Sequence, residues 1–144
     1  MSSKEEKTKY LSSYRWYEKD VERDREKLEA LESRLYSPVA ASLSGMPKSG
    51  KAFELEPLLL EKEQLQKQIR LKRKRMSDIS FAIESLEDPR YRLLLKLLYI
   101  DGYTQSAAAE IMNYCNKTIL RLAKAAVEVF EIPDEYTIPP EATA

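Results

Sequence analysis

The sequence contains no histidine and a single cysteine, which excludes several kinds of site at once. One cysteine cannot form a disulfide within the chain, and without histidine the usual zinc-finger ligand sets and all imidazole-based catalysis are missing. No apolar run is long enough to span a membrane, and the polar start MSSKEEKTKY is unlike a signal peptide. We therefore expect a cytoplasmic protein that is not an enzyme and that uses no cofactor or metal.

Glycine is also scarce, with three in 144 residues, whereas 33% of the residues are charged. Because glycine and proline are the residues that interrupt helices, and long stretches contain neither, this composition favours helices throughout. The length allows one compact domain with an extension, or two small domains. We predict an all-α fold.

The first long segment, residues 9–36, has the spacing of a coiled-coil seam. Apolar residues alternate at intervals of three and four, and Asp24 fills the one gap. The seam residues are Tyr10, Tyr14, Tyr17, Val21, Leu28, Leu31 and Leu35. We predict a long amphipathic helix here, preceded by a disordered stretch over residues 1–8. Trp16 lies off the seam, where it either rests on neighbouring side chains or anchors the C-terminal module or a partner.

A second segment, residues 53–86, repeats this spacing. Its seam residues are Leu58, Leu65, Ile69, Met76, Ile79, Ile83 and Leu86. Lys62 and Lys72 interrupt the seam, and we expect Lys72 to bury its stem while its ammonium reaches water. Two segments of similar length joined by a loop predict an antiparallel hairpin. The alternative is that each helix pairs with its copy, in a homodimer or higher oligomer.

The loop between these segments, residues 37–52, contains two prolines, two glycines and four serines. Its end, GMPKSGKA over residues 45–52, approaches the phosphate-loop pattern. However, Ala52 stands where that loop has the serine or threonine that binds magnesium, and no strand precedes the motif. We expect a flexible loop rather than a nucleotide site.

A dense basic run lies within the second segment, with five basic residues among residues 70–75. It is either a solvated turn of helix or a contact to the phosphate backbone of a nucleic acid. The second interpretation assigns phosphate contacts to Arg70, Arg73, Lys74 and Arg75.

Residues 88–132 predict a three-helix module. Asp88 and Pro89 mark its start, as a cap and a first-turn residue. The following helix is apolar on most of its surface, through Tyr91, Leu94, Leu95, Leu97, Leu98 and Ile100. Two short helices should follow, separated by a turn of about three residues. Thr104 caps the first, Asn113 ends it in the left-handed conformation, and Cys115 precedes the second.

The last of these helices has two distinct faces. Helical spacing places an apolar set on one side, namely Ile119, Leu122, Ala123 and Ala126. It places a largely basic set on the other side, namely Lys117, Leu120, Arg121 and Lys124. Pattern alone is compatible with a helix-turn-helix and also with an ordinary helical hairpin whose basic side chains are solvated.

Residues 93–130 resemble region 4 of bacterial sigma factors, in which a leucine-rich helix, an aromatic-Ile-Asp-Gly turn and a helix-turn-helix follow in that order. The matching positions are Tyr99, Ile100, Asp101, Gly102, Thr104, residues 109–112, Thr118 and Ile119. The chain departs from such families at Ala108, where a larger aliphatic residue is usual, and at Asn113, where glycine is usual.

The layout of the whole chain resembles phage late-transcription regulators of the ArpU and RinA type. This resemblance implies a phage or prophage protein in the cytoplasm of a bacterial host. It also implies that the protein binds a promoter and activates transcription beside or in place of sigma region 4, with RNA polymerase as a further partner.

The function we predict is sequence-specific binding of duplex DNA. The helix over residues 116–130 should enter the major groove by its N-terminal turns. Asn reads adenine there and Arg or Lys reads guanine, so base contacts are assigned to Asn116, Lys117 and Arg121. Further DNA contacts on the same face and at the preceding helix start are assigned to Thr118, Leu120, Lys124, Thr104 and Gln105.

The formal net charge is zero, although DNA-binding surfaces are basic. A predicted flexible tail over residues 133–144 is acidic, and together with Glu131 it holds four of the 24 acidic residues and no basic one.

Two other functions remain open. One is a phage terminase small subunit, which forms a ring of many chains. The other is a helical adaptor that binds RNA polymerase without touching DNA.

Overall fold

The computed structural model describes residues 3–36 and 49–140, and within these ranges every regular element is a helix. The helices are α1 (Lys4–Tyr36), α2 (Ser49–Glu84), α3 (Pro89–Leu95), α4 (Gln105–Met112) and α5 (Asn116–Val129). A π-helical turn (Lys96–Ile100) continues α3. The predicted all-α class is confirmed. None of these helices combines the length and the apolar character needed to cross a membrane.

The chain divides into two compact units, one made of Met1–Glu18 with Lys74–Ala144 and the other of Lys19–Arg73. We predicted a domain boundary between residues 87 and 88, and the observed boundaries of the two units differ from it. The reason is that Leu11 of α1, Ile83 of α2 and Phe130 after α5 belong to one buried cluster, so the ends of the long helices pack with the C-terminal module.

The helix α1 begins at Lys4, so the prediction of disorder over residues 1–8 is wrong for residues 4–8. Ser3 caps the helix, because its Oγ accepts a hydrogen bond from the backbone N–H of Glu6 at 3.1 Å. Glu5 and Glu6 in the first turn also suit the positive end of the helix dipole. A serine followed three residues later by glutamate is a helix-start signal, and it is present in the sequence.

In the unit Lys19–Arg73, α1 and α2 form the predicted antiparallel hairpin. Lys62 donates to the Tyr36 hydroxyl at 2.9 Å, whereas Lys72, later in α2, bonds Asp24, earlier in α1. The buried seam residues of this unit are Val21, Leu31 and Ile69. The helix α2 already begins at Ser49, so the loop predicted over residues 37–52 ends earlier than expected. Residues 37–48, with most of the loop, lie outside the described ranges.

Two of the three polar residues that interrupt the seams, Asp24 and Lys72, bind each other. Lys72 Nζ lies 2.7 Å from Asp24 Oδ2 and also contacts the Asp20 carboxylate. Only 16% of the Lys72 side chain and 7% of the Asp24 side chain are exposed, so the Lys72 ammonium, which we expected to reach water, binds two carboxylates and keeps little exposure. Burial opposes the charged ammonium, but the hydrogen bonds to Asp20 and Asp24 outweigh it and raise the pKa of Lys72.

The other unit has an aromatic core formed by α1, α2 and the end of α5. Tyr10, Tyr17 and Phe130 are at most 3% exposed, and the rings of Tyr10 and Phe130 lie 6.1 Å apart. Trp16 is partly buried against this core and meets the Tyr17 ring edge-on at 5.4 Å. Since the same core includes Ala126 and Val127 of α5, Trp16 helps to attach α1 to the C-terminal module.

The segment after α5 lies on this core, which does not fit the prediction of a flexible tail from residue 133. Ile132 and Ile138 pack against the core, and the Tyr136 ring meets the Tyr10 ring edge-on at 5.7 Å. The Tyr17 hydroxyl donates to the Thr137 carbonyl at 3.4 Å. These contacts hold the segment as far as residue 138, while residues 141–144 lie outside the described ranges.

Tyr10 should make the stability of this unit sensitive to alkaline pH. Burial, the nearby Asp78 charge and Tyr17 raise the pKa of Tyr10 to about 12. The neutral phenol is therefore favoured in the folded state. Its contribution is complete below about pH 10, where unfolded tyrosine titrates, and is lost as the pH rises through about 12. We expect the free energy of unfolding to fall over this interval, by about 2 to 3 kcal/mol from this group.

Urea unfolding at stepped pH values tests this expectation. Tyr10→Phe should give a distinctly shallower decline than the unmodified protein, because the substitution removes the titrating group. Tyr103→Phe is the matched control, since Tyr103 is 47% exposed, and it should keep the original slope. Equal slopes for the two variants would contradict the assignment to Tyr10.

Candidate nucleic-acid interface

The three-helix module starts at a firmly capped helix. Asp88 occupies the cap position of α3 and accepts a hydrogen bond from the backbone N–H of Arg90 at 2.9 Å, with Pro89 in the first turn, as predicted. The Arg90 guanidinium and backbone bind the same carboxylate and hold the pKa of Asp88 below its usual value. The Arg92 guanidinium donates to the carbonyls of Leu86 and Glu87, in the link between α2 and α3.

The turn between α3 and α4 requires glycine at residue 102. Gly102 has φ 77°, in the left-handed region that side chains disfavour. The Arg15 guanidinium of α1 also lies against Gly102, in the space that a Cβ would take. The backbone N–H of Tyr103 then closes the turn by donating to the Leu97 carbonyl at 2.9 Å. Arg15 was not identified from the sequence, because it is remote along the chain.

The turn between α4 and α5 has the predicted form. The Thr104 hydroxyl caps α4 by accepting from the backbone N–H of Ala107 at 3.1 Å. Asn113 ends α4 with φ 62° and ψ 40°, so asparagine fills the left-handed position as glycine would. Cys115 holds the cap position of α5, and the turn from α4 to α5 is three residues long, as predicted.

A second buried cluster fixes the orientation of α4 and α5 on α3. Its members are Leu94, Leu97, Ala108, Ala109, Ile119, Leu122 and Ala123. Ala108 is fully buried, and its small side chain lets α4 pack closely against its neighbours. The face of α5 that was predicted to pack is therefore confirmed.

The opposite face of α5 is open to solvent. Asn116, Lys117, Arg121 and Lys124 are exposed, and Leu120 is 44% exposed. Among the described residues, no carboxylate forms an ion pair with Lys117, Arg121 or Lys124. This distinguishes them from Lys74 and Lys96, which do have carboxylate partners. The basic face of α5 (Lys117, Arg121, Lys124) is thus free to meet an anion.

The three remaining residues assigned to DNA differ in availability. Gln105 and Thr104 are both exposed at the start of α4, but the Thr104 hydroxyl already serves as the cap. Thr118 is partly buried, and its Oγ1 lies 3.1 Å from Cys115 Sγ in a hydrogen bond that lowers the pKa of Cys115. Gln105 is therefore the most accessible of the three.

The C-terminal end of α5 is anchored by residues that sequence reasoning missed. Lys7 of α1 donates from Nζ to the Glu128 carbonyl at 2.9 Å, in the last turn of α5. Lysines can satisfy carbonyls at helix ends, but nothing local in either segment pairs these two. Phe130 follows the helix and is fully buried.

The residues of the basic run, 70–75, have different surroundings in the structure. Arg70 and Arg73 are exposed in the unit Lys19–Arg73. In the other unit, Lys74 lies 3.4 Å from Asp78, and the Arg75 guanidinium lies 5.8 Å from the centre of the Tyr17 ring. Phosphate contacts by these four residues remain a prediction, and Lys74 and Arg75 already have protein partners.

A family model described as a protein of unknown function (DUF1492) matches residues 50–131, more than half of the chain, and the chain belongs to that family. The matched range includes α3, α4, α5 and nearly all of α2. No curated protein and no solved structure matches the chain.

Proposed function

We propose that this member of the DUF1492 family is a transcription regulator that binds duplex DNA in a sequence-specific manner through α5. The observation that carries the proposal is the exposed basic face of α5, whose cations have no carboxylate partner among the described residues. The helix lies in a three-helix module with a three-residue turn, the arrangement that presents a recognition helix to the major groove.

The position of each side chain along α5 assigns it a contact. Asn116 and Lys117 lie in the first turn, and Arg121 lies one turn later, so these three reach base edges. Leu120, exposed between them, suits the methyl group of thymine. Lys124 lies a further turn along and contacts a phosphate, as does Gln105 at the start of α4.

The low net charge limits how much affinity phosphate contacts can supply. Each neutralised phosphate adds about 0.9 to the slope of log affinity against log salt. Of the three cations on the basic face of α5, only Lys124 is assigned to a phosphate, so the salt dependence per chain is modest unless Arg70 and Arg73 also take part. A dimer would raise both affinity and site length. It would have to use a surface other than the seam, because Val21, Leu31 and Ile69 are buried within the chain.

The target in the cell is proposed to be a bacteriophage or prophage promoter, and this part rests on the resemblance to regulators of the ArpU and RinA type. Selection of random DNA duplexes by the purified full chain, followed by sequencing, is the direct test. An enriched motif supports sequence-specific binding. Two-fold symmetry in the motif, with half-sites roughly one helical turn apart, would indicate a dimer. Absence of enrichment at low salt would contradict the proposal and favour an adaptor that does not touch DNA.

Two substitutions on α5 should weaken DNA binding in different ways. Arg121→Ala should cost about 1 to 3 kcal/mol on the selected site and relax the preference at one base pair, because a base contact is lost. Lys124→Ala should weaken the selected site and random DNA alike and reduce the salt slope by about one. Gel-shift titrations on both DNAs at several salt concentrations measure the difference.

Arg25→Ala is the matched control, because Arg25 is an exposed arginine of α1 and the substitution removes the same charge. It should leave the preference at every base pair unchanged. If Arg121→Ala, like Lys124→Ala, weakens binding to the selected site and to random DNA by the same factor, the division into base and phosphate contacts is wrong.

A further inference from the structure

An open cavity of about 730 Å³ lies at the end of α2, away from the residues of the basic face of α5. Ala82 and Leu86 line it and are 9% exposed, so they form its floor. Phe81 and Val129 line it too, yet they are 75% and 54% exposed. Large apolar side chains that gather on one solvent-facing depression mark a surface that binds a partner.

The rim of this cavity is acidic. Glu87, Glu131 and Asp134 line it and are exposed, and none of them has an ion pair among the described residues. The two arginines that follow Glu87 in the chain already have partners within the protein. Arg90 pairs with Asp88, and Arg92 donates to backbone carbonyls. An apolar floor inside an acidic rim therefore faces solvent.

We propose that this cavity binds a peptide segment of a partner protein that inserts one bulky apolar side chain and carries lysine or arginine on either side of it. The apolar side chain would cover Leu86 and pack against Phe81 and Val129. The flanking cations would meet Glu87, Glu131 and Asp134, which gives the site its selectivity for basic segments. No residue of the basic face of α5 lines the cavity, so the segment and DNA can bind together, and neither requires the other.

The test is selection of displayed short random peptides on the immobilised full-length protein, followed by fluorescence anisotropy with the enriched peptides. We expect a bulky apolar residue flanked by lysine or arginine. Phe81→Ser should weaken such a peptide by about tenfold or more, because an exposed aromatic wall is removed. Glu131→Gln combined with Asp134→Gln should weaken it about threefold and flatten the salt dependence.

Leu93→Ser is the matched control, since Leu93 is 45% exposed in the same unit and does not line the cavity. It should bind the peptides like the unmodified protein, and circular dichroism should show that all variants remain folded. DNA affinity measured on the same variants should not change, so failure of DNA binding and failure of peptide binding are separate results.

Three outcomes would overturn the proposal. The first is no enrichment, or enrichment of peptides without basic residues. The second is equal peptide binding by Phe81→Ser and Leu93→Ser. The third is concentration-dependent self-association that Phe81→Ser abolishes, since this would show that a second copy of the chain occupies the cavity.

Discussion

Replacing Lys72 by alanine is expected to lower the free energy of unfolding by about 2 to 4 kcal/mol. The ammonium is the partner of the Asp24 carboxylate, of which only 7% is exposed. Without Lys72 that carboxylate remains in the hairpin seam with no cation to compensate it, and an uncompensated charge in such a place is costly. The remaining exposure of the Lys72 side chain, 16%, places the expected loss below that of a fully buried pair.

A neighbouring lysine provides the control. Lys74 also lies in α2 and also has a carboxylate partner, Asp78, but 73% of its side chain is exposed. Lys74→Ala should therefore change stability by less than about 0.5 kcal/mol. The double variant Lys72→Met with Asp24→Leu should recover most of the stability lost in Lys72→Ala, because apolar residues of similar size can replace a buried ion pair. Urea denaturation followed by circular dichroism measures all three.

The ion pair also sets the register of the hairpin. If α2 slipped by one turn along α1, Lys72 could keep at most the Asp20 carboxylate, and Asp24 would be left buried without a cation, so the observed register serves both carboxylates. Equal losses for Lys72→Ala and Lys74→Ala would show that solvent compensates Asp24 and that the pair has little effect on stability. No recovery in the double variant would show that the loss does not come from the uncompensated charge of Asp24.

Features that depend on a few adjacent residues could be predicted from the sequence. The caps at Asp88 and Thr104 and the left-handed Asn113 follow from side chains that bond their own backbone or tolerate positive φ. The two faces of α5 follow from helical periodicity alone. The start of α1 belongs to the same class, because Ser3 and Glu6 form a start signal, although the polar composition of that stretch favoured disorder.

Features that depend on distant segments could not be predicted. The seam interruptions at Asp24 and Lys72 are each visible in the sequence, but their pairing depends on the register between two helices. The segment after α5 reads as a polar, proline-rich tail, and it lies on the core because α1 supplies the Tyr10 ring. The bond from Lys7 to the end of α5 has no local signal either.

The sequence predicts which residues form the candidate site, but it does not predict which charged side chains already have partners. Periodicity identifies the basic face of α5, whereas only the structure shows that Lys74 is paired and that Lys117, Arg121 and Lys124 lack carboxylate partners within the described residues. The cavity at the end of α2 has no sequence signature, because its lining comes from two stretches that lie far apart in the chain, residues 81–91 and 129–134. Whether DNA binds the basic face is decided by the selection experiment.

Replacing Phe130 by alanine is expected to lower the free energy of unfolding by about 3 to 5 kcal/mol. Phe130 is fully buried beside Tyr10, in the core that joins α1, α2 and α5. Removing its ring leaves a cavity between three elements that cannot all move inward together, so little of the lost packing is regained. Val129→Ala is the control, because Val129 is adjacent but 54% exposed, and it should change stability by no more than about 0.5 kcal/mol.

The Phe130→Ala variant also tests which of the two buried clusters orients the N-terminal turns of α5. The turns that carry Asn116, Lys117 and Arg121 are held by Ile119 and Leu122, which belong to the second cluster and not to the core around Phe130. At a temperature where Phe130→Ala is still folded, its affinity for the selected DNA should therefore fall by less than about threefold, far less than for Arg121→Ala. If the folded Phe130→Ala variant loses as much DNA affinity as Arg121→Ala, the orientation of α5 depends on its C-terminal anchor, and the packing of α5 on α3 alone does not position the basic face.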